Sequence, residues 1–288
     1  SHTIPCFNKY KPGSSYIDVF NKGTGILKWK ATPSASWIQV DKTSGTTSYE
    51  DRITVSVNWS KAPVGENVSG YIDIYTVNNE KETVFISVFN PEAPSVNDLK
   101  GLYVENNGYV SIDATGFHRK HEIGEIKFDV VEGLGFDNKV VRLGDPFAKT
   151  PYLDGLVLTS NYVAPVRGNK FPVLEYDFYS FQTGPVDVYT YMMPIFPLDN
   201  EHGSRYGVMV DNSPVYLPEA GAPYYSTLWI QSVLRNCRIN KTTHFIDKPG
   251  KHTVKIYCAH PGMMLQKIVV DLGGLKKSYM GPESTKIN

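Results

Sequence analysis

Apolar and polar residues alternate with a period of two through most of this 288-residue chain, as strands do when one face meets a core. Up to about residue 92 the alternation comes in short runs: Tyr16 to Asn21, Leu27 to Ala31, Trp37 to Val40, Arg52 to Asn58, Gly70 to Val77 and Thr83 to Phe89. Turn residues divide them at Lys22-Gly23, Thr43-Ser-Gly45, Ala62-Pro-Val-Gly65 and Asn78-Asn79, a spacing that predicts an Ig-like sandwich over residues 1–92. Asn90-Pro91-Glu-Ala-Pro94 follows, and its two prolines suit a linker better than a central strand.

A second alternating series opens at Tyr109 to Ala114. Leu174, Tyr176 and Phe178 oppose Glu175, Asp177 and Tyr179, while Val186 and Val188 oppose Asp187 and Tyr189. Arg205 to Val210, Lys251 to Ala259 and Leu265 to Leu272 complete a larger jelly-roll-like antiparallel sandwich over 101–288, so the whole chain reads as all-β. In the last of these runs Ile268, Val270 and Leu272 face one way and Lys267, Val269 and Asp271 the other, the pattern of a half-buried strand ended by Gly273-Gly274. One segment breaks the period: Ser226 is placed to cap a short helix carrying Leu228, Trp229, Ile230, Val233 and Leu234.

Charge is balanced at 29 basic against 29 acidic residues, which gives no reason to expect a nucleic-acid partner or an anionic membrane surface. No apolar run reaches the ~18 to 20 residues of a membrane helix, and Ser1-His-Thr-Ile-Pro5 lacks the pattern of a signal peptide, so the start reads as that of a fragment. Cys6, Cys237 and Cys258 lack metal-ligand spacing; one pair plus a spare and three free thiols are both open, and Cys258 continues the inward set Val254 and Ile256, which favours free thiols. Asn58, Asn67 and Asn240 begin Asn-x-Ser/Thr sequons, of consequence only in a eukaryotic secreted protein.

Candidate chemistry is sparse. Glu175 and Asp177 are the obvious carboxylate pair for glycoside hydrolysis, about 7 Å apart on one strand face. The same alternation reads them as a solvated strand face, and that reading is preferred. His244 reads as a hydrogen-bonding residue rather than a base. Tyr224, Tyr225 and Trp229 form the best aromatic platform for a sugar, with His202 and Arg205 as polar neighbours. Against this stands burial of Trp229 under its helix, which is preferred. Trp37 and Trp59 read as core and turn packing, and Trp29 as lying on a strand that is a candidate edge.

Val110-Ser-Ile-Asp-Ala-Thr-Gly-Phe117, Val131-Glu-Gly-Leu-Gly135, Leu174 to Phe181, Arg205 to Asp211, Thr243-His244 and the terminal Gly273-Gly-Leu-Lys-Lys-Ser-Tyr-Met-Gly-Pro282 occur in one order. Together they resemble the C-terminal region of the xylan α-1,2-glucuronidases of glycoside hydrolase family 115. Trp37 to Gly45 and Ile53 to Gly65 are similar to the BACON-type Ig modules of bacterial polysaccharide-degrading enzymes. The resemblance implies a second domain similar in plan to carbohydrate-binding module family 35, and a non-catalytic accessory or scaffold role. The implied setting is the periplasm or exterior of a bacterium, with the catalytic barrel of the same parent polypeptide as partner, a homodimeric parent, and a lectin-like role on acidic xylan as the alternative. Leu275, Tyr279 and Met280 would be the anchors of a tail docked on that parent. Family 35 modules often hold a structural calcium, for which Asp113 and Asp271 are the comparable positions; the run Ile112-Asp-Ala-Thr115 lacks the second acid, so no metal or other cofactor is expected.

Overall fold

The computed structural model describes residues 2–77, 80–148, 171–196 and 204–288, with the backbone alone at 163–164. The predicted Asn78-Asn79 turn and His202 lie outside the described residues. Two units divide the chain, Ser1–Lys100 and Gly101–Lys286, each with a hydrophobic core of its own.

In the first unit the short alternating runs become β1 (His2–Thr3), β2 (Phe7–Asn8), β3 (Ser15–Phe20), β4 (Leu27–Pro33), β5 (Ile38–Val40), β6 (Ser44–Thr47), β7 (Glu50–Val57), β8 (Gly65–Thr76) and β9 (Lys81–Asn90). Among the described residues they form one sheet in the order β1-β9-β8-β4-β6, with β2 also on β9, and a second, β3-β7-β5. The inward residues Ile17, Trp29, Trp37, Ile53, Val55, Ile72, Ile86 and Val88 fill the space between the sheets.

Two local expectations are corrected here. β4 pairs with β6 on one side and β8 on the other, so Trp29 is interior rather than on an edge, 3% exposed, with its indole N–H donated to Asp51. Gly45 is a strand residue of β6 and not a turn: a Cβ there would lie 2.5 Å from the Trp29 ring, so the bare backbone makes room for the indole.

The second unit carries β10 (Tyr103–Val104), β11 (Tyr109–Asp113), β12 (Arg119–His121), β13 (Phe128–Glu132), β14 (Lys139–Leu143), β15 (Val163–Ala164), β16 (Val173–Ser180), β17 (Gly184–Met192), β18 (Tyr206–Val210) and β19 (Val215–Tyr216). The single α-helix among the described residues, α1 (Thr227–Leu234), follows, then β20 (Arg238–Ile246), β21 (Gly250–Cys258) and β22 (Met263–Asp271). One sheet runs β10-β16-β21-β18-β19-β15 with β12 on β16; the other runs β13-β14-β22-β17-β20 with β11 on β22. Leu174, Tyr176 and Phe178 from the first meet Ile112, Val188, Ile268 and Val270 from the second, all at 0% exposure, as the alternation requires.

β22 departs from the half-buried pattern. Its outward residues Lys267 and Val269 are only 4% and 0% exposed. Residues 273–286 explain this, because they fold back over the outer face of the strand. Leu275 joins Tyr191, Cys237 and Val269 in a small satellite core. Farther on, Lys267 donates to the Pro282 carbonyl at 3.1 Å, and Thr285 exchanges backbone and side-chain hydrogen bonds with Ser111.

Candidate functional site

A hydrolytic role for the Glu175 and Asp177 pair would need both carboxylates free, and Arg119 engages both. Strand alternation sends both to the outer face of β16, where β12 and β21 bring cations beside them. Arg119 grips Asp177 with both terminal nitrogens at 2.6 and 2.7 Å and gives its Nε to Glu175. Lys251 and Thr253 reach Asp177 from the other neighbour at 3.1 and 2.8 Å. Asp177 is thus 2% exposed and not on a solvated face, which corrects the sequence reading. Burial alone would push its pKa up, but the hydrogen bonds from Arg119, Thr253 and Lys251 outweigh it and hold the carboxyl well below the usual range. A carboxylate so committed is neither a proton donor nor a nucleophile.

His244 is equally occupied. Its Nδ1 lies 2.9 Å from Ser213 Oγ and its Nε2 2.9 Å from Thr242 Oγ1, and burial pushes its pKa down to about 4. The ring is a neutral hydrogen-bonding link between β20 and the turn before β19, as the sequence suggested.

Asp113 and Asp271 do not fit a shared calcium. β11 and β22 run antiparallel, with Asp271 opposite Tyr109 and Asp113 opposite Lys267. Four residues of strand, about 13 Å, therefore separate the carboxylates along the ladder. Asp271 Oδ1 is also spent accepting the N–H groups of Gly273 and Leu275.

The aromatic residues do converge. Ser226 caps α1 as predicted, accepting the Trp229 N–H at 3.1 Å, and this fixes Trp229 over the incoming loop. Tyr224 lies 5.1 Å from Trp229 and 4.2 Å from Tyr225, whose backbone takes a left-handed conformation with φ 56°. Phe196 completes the group at 5.6 Å from Tyr224 and 5.7 Å from Trp229. The sequence reading missed Phe196; its only signal is position, since Ile195 bridges to Gly221 in the loop that carries the tyrosines. Arg205 is half-buried and pairs through its backbone with Glu219 of that loop.

Trp229 was expected as the buried face of its helix; it is half-buried instead, and no apolar residue of α1 is fully buried. Only Ser232 is buried, whereas Leu228, Ile230, Val233 and Leu234 are 39%, 41%, 46% and 77% exposed. Tyr224 and Tyr225, at 63% and 69%, add to the exposed apolar residues around α1. Of the tail residues, Leu275 packs on its own sheet, while Tyr279 and Met280 are 61% and 45% exposed.

Among solved structures, the chain is similar to a family GH115 4-O-methyl-α-glucuronidase, BtGH115A, described as specific for decorated arabinogalactans. Identity is 18% and the TM-score 0.38, over 54% of this chain and 17% of that one. It is also similar to a family 35 carbohydrate-binding module from Clostridium thermocellum, at 6% identity and TM-score 0.33 over 56% of this chain and 96% of that one. A third likeness is the C-terminal CBM6 of the laminarinase LamC from Zobellia galactanivorans, at 10% identity and TM-score 0.33 over 57% and 98%. The chain thus spans under a fifth of the length of the glucuronidase it matches. No curated protein matches it. Residues 7–88 match the model of the viral BACON domain. Residues 102–284, well over half the chain, match the model of the glycosyl hydrolase family 115 C-terminal domain, and the chain belongs to that family.

Proposed function

We propose that this chain is the non-catalytic accessory region of a xylan α-1,2-glucuronidase working in the bacterial periplasm or outside the cell. In this reading it braces the catalytic part of the same polypeptide through the face built on α1. The observation that carries it is the exposure of Leu228, Ile230, Val233 and Leu234 on a helix with no buried apolar side, a surface suited to protein and not to sugar hydroxyls. The commitment of Asp177 and Glu175 to Arg119 supports the non-catalytic half.

Two measurements test the proposal. The purified chain is expected to release no glucuronic acid from glucuronoxylan or from a decorated arabinogalactan; release abolished by Glu175→Gln would overturn it. The catalytic part, produced separately, is expected to bind the chain in sedimentation experiments, and Val233→Glu with Leu234→Glu to abolish binding while leaving the fold intact. Association unaffected by both substitutions would remove α1 from the interface.

A second reading rests on the four clustered rings, whose exposed faces suit stacking on a sugar. Here Tyr224, Tyr225 and Trp229, with Arg205, would bind xylan-type glycan. Micromolar binding lost in Trp229→Ala but retained in Leu234→Glu would put this reading first.

A further inference from the structure

A concave feature that none of the clustered rings lines lies on the outer face of the sheet that contains β17, β20 and β22. It is a cleft of about 610 Å³ between the return of the tail and the C-terminal end of α1. That volume falls inside the roughly 300–1,000 Å³ range of small-ligand sites. Tyr189, Tyr191 and Ile239 line the cleft from the sheet, and Tyr279 lines it from the tail, its hydroxyl reaching the Leu234 carbonyl at 3.5 Å.

The charges are one-sided. Arg235 enters from the end of α1 and Lys276 and Lys277 from the tail; all three are exposed, and none has an ion-pair partner among the described residues. The one acid of the lining, Asp271, spends Oδ1 on the tail's backbone N–H groups. Nearby Lys241 is already matched by Asp187 at 3.0 Å. A chain with balanced charge overall therefore concentrates unmatched positive charge at one tyrosine-lined hollow. Tyrosine faces receive the C–H faces of a pyranose, and a cluster of unpaired cations receives an anion.

We infer that this cleft binds an anionic saccharide, a sugar carrying a carboxylate or a sulfate, with the ring against Tyr189 and Tyr279 and the anion on Lys276, Lys277 and Arg235. The lining includes none of Tyr224, Tyr225 and Trp229, so the site does not depend on the ring-cluster reading; it borders the docking face at Leu234, where Tyr279 meets the end of α1.

The test titrates glucuronate, galactose 6-sulfate, glucose and inorganic phosphate into the whole isotope-labelled chain and follows amide shifts. One or both charged sugars should shift residues around Tyr189 and residues 275–279, and which of them does so identifies the anion. Lys276→Gln with Lys277→Gln, both exposed, should weaken binding about tenfold, roughly the loss of one charge-assisted contact. Tyr279→Ala should weaken it as well, and Trp229→Ala should leave it unchanged. Added salt should reduce it. Glucose binding as well as the charged sugars, phosphate binding as well as they do, or charged sugars leaving the cleft unshifted would each overturn the inference.

Discussion

At the scale of single residues, the second unit is defined by polar side chains locked beneath its surface. Arg119 is half exposed, yet it neutralises a nearly sealed carboxylate. Removing one partner of such a pair leaves an uncompensated charge, which typically costs 3–5 kcal/mol; with Lys251 still present, Arg119→Ala should cost about 2–3 kcal/mol in urea unfolding. Glu175→Gln should cost under about 1 kcal/mol, since that carboxylate is more exposed. Two histidines then give opposite pH signatures. His244 has a folded pKa of about 4 because of burial, so the stability it contributes is present above its ordinary 6.5 and lost as pH falls toward 4, on the order of 3 kcal/mol in all. His252, 3% exposed, is opposed by burial but raised by its 2.7 Å hydrogen bond to Asp211 and its bond to the Lys248 carbonyl. Its contribution is complete below 6.5 and lost as pH rises through the raised value. His252→Asn should therefore destabilise more at pH 5 than at pH 8, and His244→Asn should flatten the loss of stability between pH 6.5 and 4. A variant whose stability difference does not change with pH would refute the assignment at that residue.

At the scale of elements, the two glycines that end β22 serve different needs. Gly273 turns the chain with φ 104°, whereas Gly274 passes so close to the turn that leads into β11 that a Cβ would sit 1.9 Å from the Asn107 carbonyl oxygen. Gly274→Ala should thus displace the tail and cost about 2–4 kcal/mol, measurable by thermal unfolding. A tail acting only as an external strap would allow deletion of 275–288 at little cost. Because Ser111, buried at 0%, and Lys267 both donate to the Pro282 carbonyl and Ser111 exchanges hydrogen bonds with Thr285, that deletion should instead remove about 3 kcal/mol or more. The strands and the capped helix were legible in the sequence because burial imposes a period of two on one and Ser226 marks the other. The tail's return was not, since Gly, Lys, Ser and Pro there follow no period and satisfy partners more than a hundred and seventy residues away. Asp177 misled for a related reason: alternation tells which face a side chain takes, but not that Arg119 and Lys251 will close over it. The ring cluster was found from local spacing, while Phe196 needed a bridge between distant segments.

At the scale of the molecule, an exposed apolar face coexists with a formal net charge of zero and an isoelectric point near 7.0. Little long-range repulsion is then available near neutrality to keep copies apart. The isolated chain should self-associate most strongly near pH 7, and Leu234→Glu should shift its sedimentation toward the monomer; a concentration-independent monomer would argue that the face is covered from within. Among the described residues no helix is long and apolar enough to cross a membrane.

The place of β22 in the chain sets the timetable on which the second unit is made. β11 and β14 hold one edge of this strand and β17 holds the other, although all three are synthesised long before it. While a ribosome is still adding residues up to Met263, β11 and β14 can meet β17 only by leaving a gap one strand wide, and their hydrophobic faces must wait unpaired. Such late closure of distant strands is slow and prone to wrong pairings. The first unit pairs its strands wholly within the first hundred residues and meets no such delay. A nascent chain halted before residue 263 should accordingly show a protease-resistant first unit and a second that is cut freely.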